Sequence, residues 1–280
     1  MPLGMSAPAP SVFCNVNRTM NEQYKDKDWL EAQYWAKGLS TRAIASSSGV
    51  NSETIRKYMH RHGIPLRPAT NVNFVTLTDE ATLFLTGELL GDASLVWGTK
   101  GVSAYYSHNS RYKEYLNWLE HILLHFGITK RGNINRHSNQ YGEYWTYTSR
   151  YYRSEFVEQR LRWYPDGTKI VPADLELSPI TVLMWFLEDG SAIRYKNNNF
   201  LMLCTNGFTK TNIELLRDAL AEAIESDNIY VGRSGASGYA IKMYRKQTIA
   251  DFYDYIGSCP DEIRDVYGYK WNLREYVGVN

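Results

Sequence analysis

The sequence predicts an α+β protein: two similar αββαββα halves with antiparallel sheets, preceded by a small all-α domain. Three observations carry that prediction. Two strongly apolar helical stretches, 78–95 and 177–193, each run into an acid followed by a small residue. The strands and helices that follow the first stretch recur in the same order after the second. Ahead of both, residues 25–66 read as three short helices separated by cap and turn signals.

In 78–95, Leu83, Phe84, Leu85, Leu89 and Leu90 crowd a helical repeat, while Gly87 and Gly91 stand four apart. Residues four apart share a helix face, so two glycines there let a second helix approach nearly backbone to backbone. The helix is expected to end on Asp92. A carboxylate at a helix C-terminus meets the negative end of the macrodipole, costing about 0.3–1 kcal/mol unless a cation offsets it. That placement asks for a metal. The second stretch, LSPITVLMWFLEDGSAI, opens with Ser178 as N-cap and Pro179 at the first helical position, and ends on Glu188 and Asp189 before Gly190. Aligning the terminal acids sets Gly87 opposite Met184 and Gly91 opposite Glu188. One helix is small where the other is large.

After the first motif come strands at 94–98 and 102–107, a helix over 111–126, strands at 133–137 and 144–148, and a helix over 152–163. Tyr115, Leu116, Leu119, Ile122 and Leu123 form the core side of the first of those helices. The second half repeats the order, with strands at 192–195 and 200–205, a helix over 209–224, strands at 229–233 and 239–244, and a helix over 247–256. Such repetition implies halves related by a pseudo-twofold. The halves are bounded at 78–176 and 177–280.

Residues 1–24 are rich in Pro, Ala and Ser and are expected to be a flexible tail. A helical pattern then carries Trp29, Leu30, Ala32, Tyr34 and Trp35 and stops at Gly38. Ser40 caps a helix through Ile44 and Ala45, a turn follows at SSSGV, and Ser52 caps a third helix with Ile55, Tyr58 and Met59. Helix, glycine-containing turn and helix in this span form a helix-turn-helix pattern. Its last helix presents Asn51, Thr54, Arg56 and Lys57 outward, with Asn51, Glu53, Thr54 and Lys57 placed for base edges. Residues 67–77 read as a linker broken by Pro68, Asn71 and Asn73.

At 280 residues the chain has room for two compact units and an appendage. No uncharged apolar run of about 18 residues argues for a membrane span, and the start lacks a secretory pattern. Cys14, Cys204 and Cys259 have no C-x-x-C spacing, so a zinc knuckle or disulfide framework is not expected; an intracellular, reducing setting is. The net charge of +1 does not itself point to nucleic acid. It divides unevenly, +4 over residues 1–75 and −3 over the rest. Many of the 22 tyrosines lie beside Arg, Lys or Asn, as in RHSNQYGEYWTYTSRYYR.

From about Thr78 to Leu273 the chain resembles the LAGLIDADG homing endonucleases, specifically single-chain members with two motif copies. The copies are LTGELLGDA and VLMWFLEDG, with acids 97 residues apart. The resemblance implies saddle-like sheets, packed motif helices, and Mg²⁺ held over the scissile phosphates by Asp92 and Asp189, with Mn²⁺ able to substitute. Gly91 and Glu188, which precede those acids, are expected in the same metal site. In this branch of the family a lysine near the end of each half orders water; the matching stretches are GTKIVP at Lys169 and YGYKWN at Lys270.

Phosphodiester hydrolysis needs an activated water, stabilised phosphoryl charge and help for the leaving oxygen, and carboxylate-held metal ions supply these. Mg²⁺ suits the purpose because one or two protein carboxylates suffice beside substrate oxygens. Base recognition would fall to the sheets, since a two-stranded ribbon fits the major groove. The candidates are Arg131, Asn133, Asn135, His137, Asn139 and Gln140 in the first half, and Arg194, Lys196, Asn198, Arg233, Lys242 and Arg245 in the second. The expected partner is double-stranded DNA and the expected state a monomer, since one chain carries both acids. The alternative is a non-cleaving or dual-role binding protein of the same fold, either a maturase acting on its own intron RNA or a helix-turn-helix regulator. A small-molecule enzyme with an acidic metal pair finds no phosphate-binding glycine loop or histidine cluster in support.

Overall fold

The computed structural model describes residues 22–37, 39–66, 72–98, 101–195, 198–205, 207–235 and 238–279. The chain divides into two compact units, Met1–Thr70 and Asn71–Asn280. Among the described residues no helix is long and apolar enough to cross a membrane.

The smaller unit contains α1 (Lys27–Glu31), which runs on into a π-helical turn at Ala32–Ala36, then α2 (Thr41–Ser48) and α3 (Ser52–Arg61). Leu30, Tyr34, Ile44, Ala45, Ile55, Met59 and Ile64 form its own core. Ser40 caps α2 as expected, and Gly49 closes that helix at φ 67°, a left-handed turn that glycine takes without a steric cost. The cap of α3 is Asn51, one residue before the expected Ser52. The Asn51 backbone is extended, and its Oδ1 accepts from the Thr54 amide at 2.8 Å, so Ser52 is already helical. The expected tail also ends earlier than residue 24: Gln23–Lys25 is a short 3-10 turn that buries Tyr24 in this core. Tail residues 1–21, the expected helix stop at Gly38 and linker residues 67–71 lie outside the described residues.

The larger unit is built from two αββαββα halves. The first comprises α4 (Asp79–Leu90), β2 (Ser94–Trp97), β3 (Ala104–Ser110), α5 (Lys113–His125), β4 (Asn135–Asn139), β5 (Gly142–Thr148) and α6 (Glu155–Trp163). The second comprises α7 (Pro179–Asp189), β7 (Gly190–Tyr195), β8 (Asn198–Cys204), α8 (Lys210–Ala223), β9 (Ile229–Ser234), β10 (Gly238–Met243) and α9 (Lys246–Ile256). The sheets run β2-β3-β5-β4 and β7-β8-β10-β9, so each half has the same strand order. Two short strands extend the first sheet. The helix expected from residue 152 starts only at Glu155, because β6 (Tyr151–Tyr152) continues the line of β5 against β3. Against β6 lies β1 (Val72–Asn73), a parallel pair inside the stretch expected as linker.

The two motif helices form the seam. Thr78 and Ser178 cap them, accepting from the amides of Ala81 and Thr181, and Pro179 stands at the first position of α7. Both helices are apolar around most of their circumference, so each must be buried on more than one side. Thr181 Oγ1 donates to the Leu83 carbonyl at 2.9 Å, a contact that requires the backbones to be close. A Cβ on Gly87 would lie against the Thr181 carbonyl and 2.7 Å from Met184 Cβ; one on Gly91 would lie 2.7 Å from Glu188 Cβ. Gly87 therefore faces Met184, and Gly91 faces Glu188, as the alignment of the terminal acids predicts. Around this seam Phe84, Leu89, Trp185, Phe186, Leu201, Leu216 and Phe252 join one continuous core.

Overpacking a buried seam typically costs about 1–3 kcal/mol. Gly87→Leu is expected to lose at least that much, read as a lowered thermal midpoint. Gly207→Ala, whose added methyl meets nothing within 4 Å, is expected to leave the midpoint within a degree or so of wild type, surface changes being worth about ±0.5 kcal/mol.

Candidate active site

Both motif acids arrive at the same end of the paired helices, but by different local routes. The α7 helix continues through Asp189. The α4 helix stops at Leu90, earlier than expected, and Gly91 leaves helical space at ψ −138°, placing Asp92 in the turn beyond. The freed Asp92 amide then donates to Glu188 Oε2 across the seam. Asp92 is exposed and Asp189 is partly buried.

The lysines close the two helix ends. Lys169, on the irregular chain after α6, donates to the carbonyls of Gly91 at 3.0 Å and Ala93 at 2.9 Å. Lys270 lies in a run of short helical turns after α9, a segment without a distinct sequence signal. It donates to the carbonyls of Phe186 at 3.0 Å, Leu187 at 2.6 Å and Glu188 at 3.3 Å. An ammonium on the last carbonyls of a helix satisfies orphan acceptors and offsets the negative end of the dipole. Each acid thus shares its helix end with one buried or half-buried cation from its own half.

Burial costs these charges. Asp189 is pushed up to about 7, by desolvation first and then by the Asp92 carboxylate, while Lys169 and Lys270 pull it back. Lys270 is pushed down to about 8 by desolvation, against the attraction of Asp189. Desolvation also lowers Lys169, with Glu188, Asp189 and Asp92 opposing. Two repelling carboxylates in a partly dry site, with only oxygen donors, fit a hard dication such as Mg²⁺.

Sequence reasoning missed a buried polar cluster under this end of the seam. Glu88 in α4 is fully buried, and Tyr106 Oη donates to its Oε2 while Tyr115 Oη donates to its Oε1 at 2.7 Å. His108 Nδ1 lies 3.0 Å from Glu88 Oε2 and 3.7 Å from Glu188 Oε1; the same Glu188 oxygen lies 3.2 Å from Tyr115 Oη. Burial opposes the Glu88 charge, but His108 beside it holds the carboxyl below its usual range. Glu188 is driven well above its usual range by burial and by Glu88. The one signal available was alternation in AYYSHNS, which sets Tyr106 and His108 on a single face of β3. Glu188, expected in the metal site, directs its carboxylate to the Asp92 amide and this cluster.

Strand register separates the expected base-reading residues. In the first sheet, Asn135, His137 and Asn139 lie on the face opposite the core tyrosines Tyr106 and Tyr147, together with Asn109, Tyr144 and Thr146. Arg131 joins them, its guanidinium 4.8 Å and 4.5 Å from the ring centres of Tyr105 and Tyr151. Asn133 and Gln140 are exposed beside the same hairpin. In the second sheet, Asn198 and Lys242 share the open face with Met202 and Tyr230. Arg194 and Arg233 fall instead on the register face of Leu203 and Ile241, at its exposed edges, and Arg194 turns toward Asn272 and Glu275. Arg245 is the exposed residue before α9, and Lys196 lies outside the described residues. In the smaller unit, Asn51, Glu53, Thr54, Arg56, Lys57 and His60 line one concavity of about 560 Å³.

The LAGLIDADG DNA endonuclease family model matches residues 83–250. The chain is 31% identical over 196 residues to an uncharacterized protein of Methanocaldococcus jannaschii, covering 67% of this chain and 75% of that one. It is 29% identical over 162 residues to the cytochrome b mRNA maturase bI2 of Debaryomyces hansenii, covering 52% of this chain and 57% of the maturase. Among solved structures it is similar to the homing endonuclease I-WcaI bound to its DNA recognition sequence, with a TM-score of 0.56 and 20% identity over 65% of this chain and 83% of that one. With two motif copies in two matching halves, the chain belongs to the LAGLIDADG DNA endonuclease family.

Asp189 generates a pH prediction. Its carboxyl, pushed up to about 7, lies above the ordinary aspartate value of about 3.9, so between those values the folded state binds more protons and its stability falls as pH rises. Metal-free Asp189→Asn is therefore expected to equal wild type below pH 4 and to exceed it above pH 7, by urea denaturation.

Proposed function

We propose that the protein is a site-specific double-strand DNA endonuclease of the homing type, hydrolysing one phosphodiester in each strand. The observation that carries this reading is the convergence of Asp92 and Asp189 at the ends of two tightly packed helices, each with its own lysine. Asp92 and Asp189 would hold Mg²⁺, with Mn²⁺ as a substitute; the metal supplies Lewis-acid stabilisation of the phosphoryl oxygens and a more acidic water. Gly91 and Glu188 frame the site through the Lys169 contact and the Asp92 amide. Lys169 and Lys270 would offset charge developing on phosphate and position the attacking water. Each is anchored on peptide carbonyls, so its position does not depend on the bound substrate.

In this reading the open faces of the sheets read base edges, with Asn135, His137, Asn139 and Arg131 on one side and Asn198 and Lys242 on the other. The three-helix unit acts as a helix-turn-helix module and adds contacts outside the cleaved site, with Thr54, Arg56 and Lys57 toward the duplex. One chain carries both acids, so a monomer suffices. A second reading, a maturase acting on intron RNA, is supported by the similarity to the Debaryomyces hansenii maturase.

Cleavage of long DNA fragments in Mg²⁺, with end mapping, is expected to give one discrete double-strand break per target. Asp92→Asn and Asp189→Asn are each expected to abolish linear product while target binding in a mobility-shift assay stays within a few-fold of wild type. Unimpaired cutting by both variants would end the catalytic assignment; RNA binding without any DNA cleavage would favour the maturase.

A further inference from the structure

The buried cluster beneath the acids brings two carboxyl groups and an imidazole together in the interior. Glu88, His108 and the Glu188 side chain are each 0–1% exposed. Burying two carboxyl groups side by side against a single imidazole is costly. The two nearby ammonium groups, of Lys169 and Lys270, are occupied by peptide carbonyls rather than by these acids. One ligand-type atom from each of Glu88, His108 and Glu188 lies within 4.8 Å of the other two.

We propose that Glu88, His108 and Glu188 form a binding site for a zinc-class dication, separate from the Asp92 and Asp189 pair and bridging the two halves. A tetrahedral Zn²⁺ with ligand bonds of about 2.0–2.1 Å sets its ligands about 3.3 Å apart. The observed separations of 3.0 Å and 3.7 Å from His108 Nδ1 bracket that value. One imidazole with two carboxylates favours Zn²⁺ over Mg²⁺, which prefers oxygen alone. The surrounding groups serve as outer supports: Tyr106 and Tyr115 donate to the Glu88 oxygens, and the Asp92 amide occupies the remaining Glu188 oxygen. His108 and Glu188 also line a cavity of about 440 Å³ shared with Asp92, which gives an ion a route in and leaves room for a water as fourth ligand. The site has no counterpart across the pseudo-twofold: position 88 carries Glu, and the matching position of the other motif carries Trp185.

The test uses full-length Asp92→Asn/Asp189→Asn protein, which removes the expected Mg²⁺ ligands and makes the result independent of DNA cleavage. Loaded with Zn²⁺ and desalted, it is expected to retain one ion per chain by plasma mass spectrometry, and with Co²⁺ to show the intense visible absorption of a tetrahedral site. Adding His108→Gln or, separately, Glu88→Gln is expected to abolish both signals, with circular dichroism confirming that each variant is folded. Absence of retained zinc and of the cobalt spectrum in the doubly substituted protein would overturn the proposal and leave a carboxyl pair held by hydrogen bonds. Equal retention after the His108 and Glu88 substitutions would overturn it too, since the ion would then be bound elsewhere.

Discussion

The near contact of two helix backbones, made possible by the missing side chain at Gly87, is the constraint from which the rest of the larger unit follows. Met184 fills the space that Gly87 vacates, and Thr181 reaches across to a carbonyl of the facing helix. Two helices held that close deliver their C-terminal ends together. Those ends present unpaired carbonyls and a pair of acids in one small volume, and each lysine is the local answer to that crowding. A helix terminus buried without such partners would be unfavourable, so anchoring the cations stabilises the fold as well as preparing the site.

Asp189 is partly desolvated beside a second acid, a costly arrangement for the metal-free fold and a favourable one once a cation arrives. Proteins commonly retain such local strain where binding depends on it. The same reasoning covers Lys270, buried to 2% exposure and drawn down toward neutrality by its surroundings. Stability and readiness for a charged ligand are opposed at these two residues.

Legibility in the sequence followed the length scale of the interaction. The opposition of Gly87 to Met184, the strand and helix order and the Ser178 cap of the second motif helix follow local sequence patterns, and all could be read directly. The cap at Asn51 rather than Ser52 was one residue off, because both types cap well and only the backbone angle decides between them. The facing of Arg194 and Arg233 required register, which a one-residue shift inverts. The Glu88 cluster was hidden for a different reason: its members lie on a helix, a strand, a second helix and the opposite half, and a Glu inside an apolar motif looks like a surface position until its neighbours are known.

The seam has a further implication for how this chain can vary. Its complementarity is between unlike surfaces: a gap at Gly87 against a knob at Met184, a bare Gly91 against the Glu188 side chain, and Glu88 where the partner motif holds Trp185. Two copies of the first half would leave facing glycines with a void between them. Two copies of the second would drive methionine into methionine and glutamate into glutamate. The halves are alike in topology yet no longer interchangeable, so exchanging a half with a relative would require the new helix to supply the matching shape, not merely the matching motif.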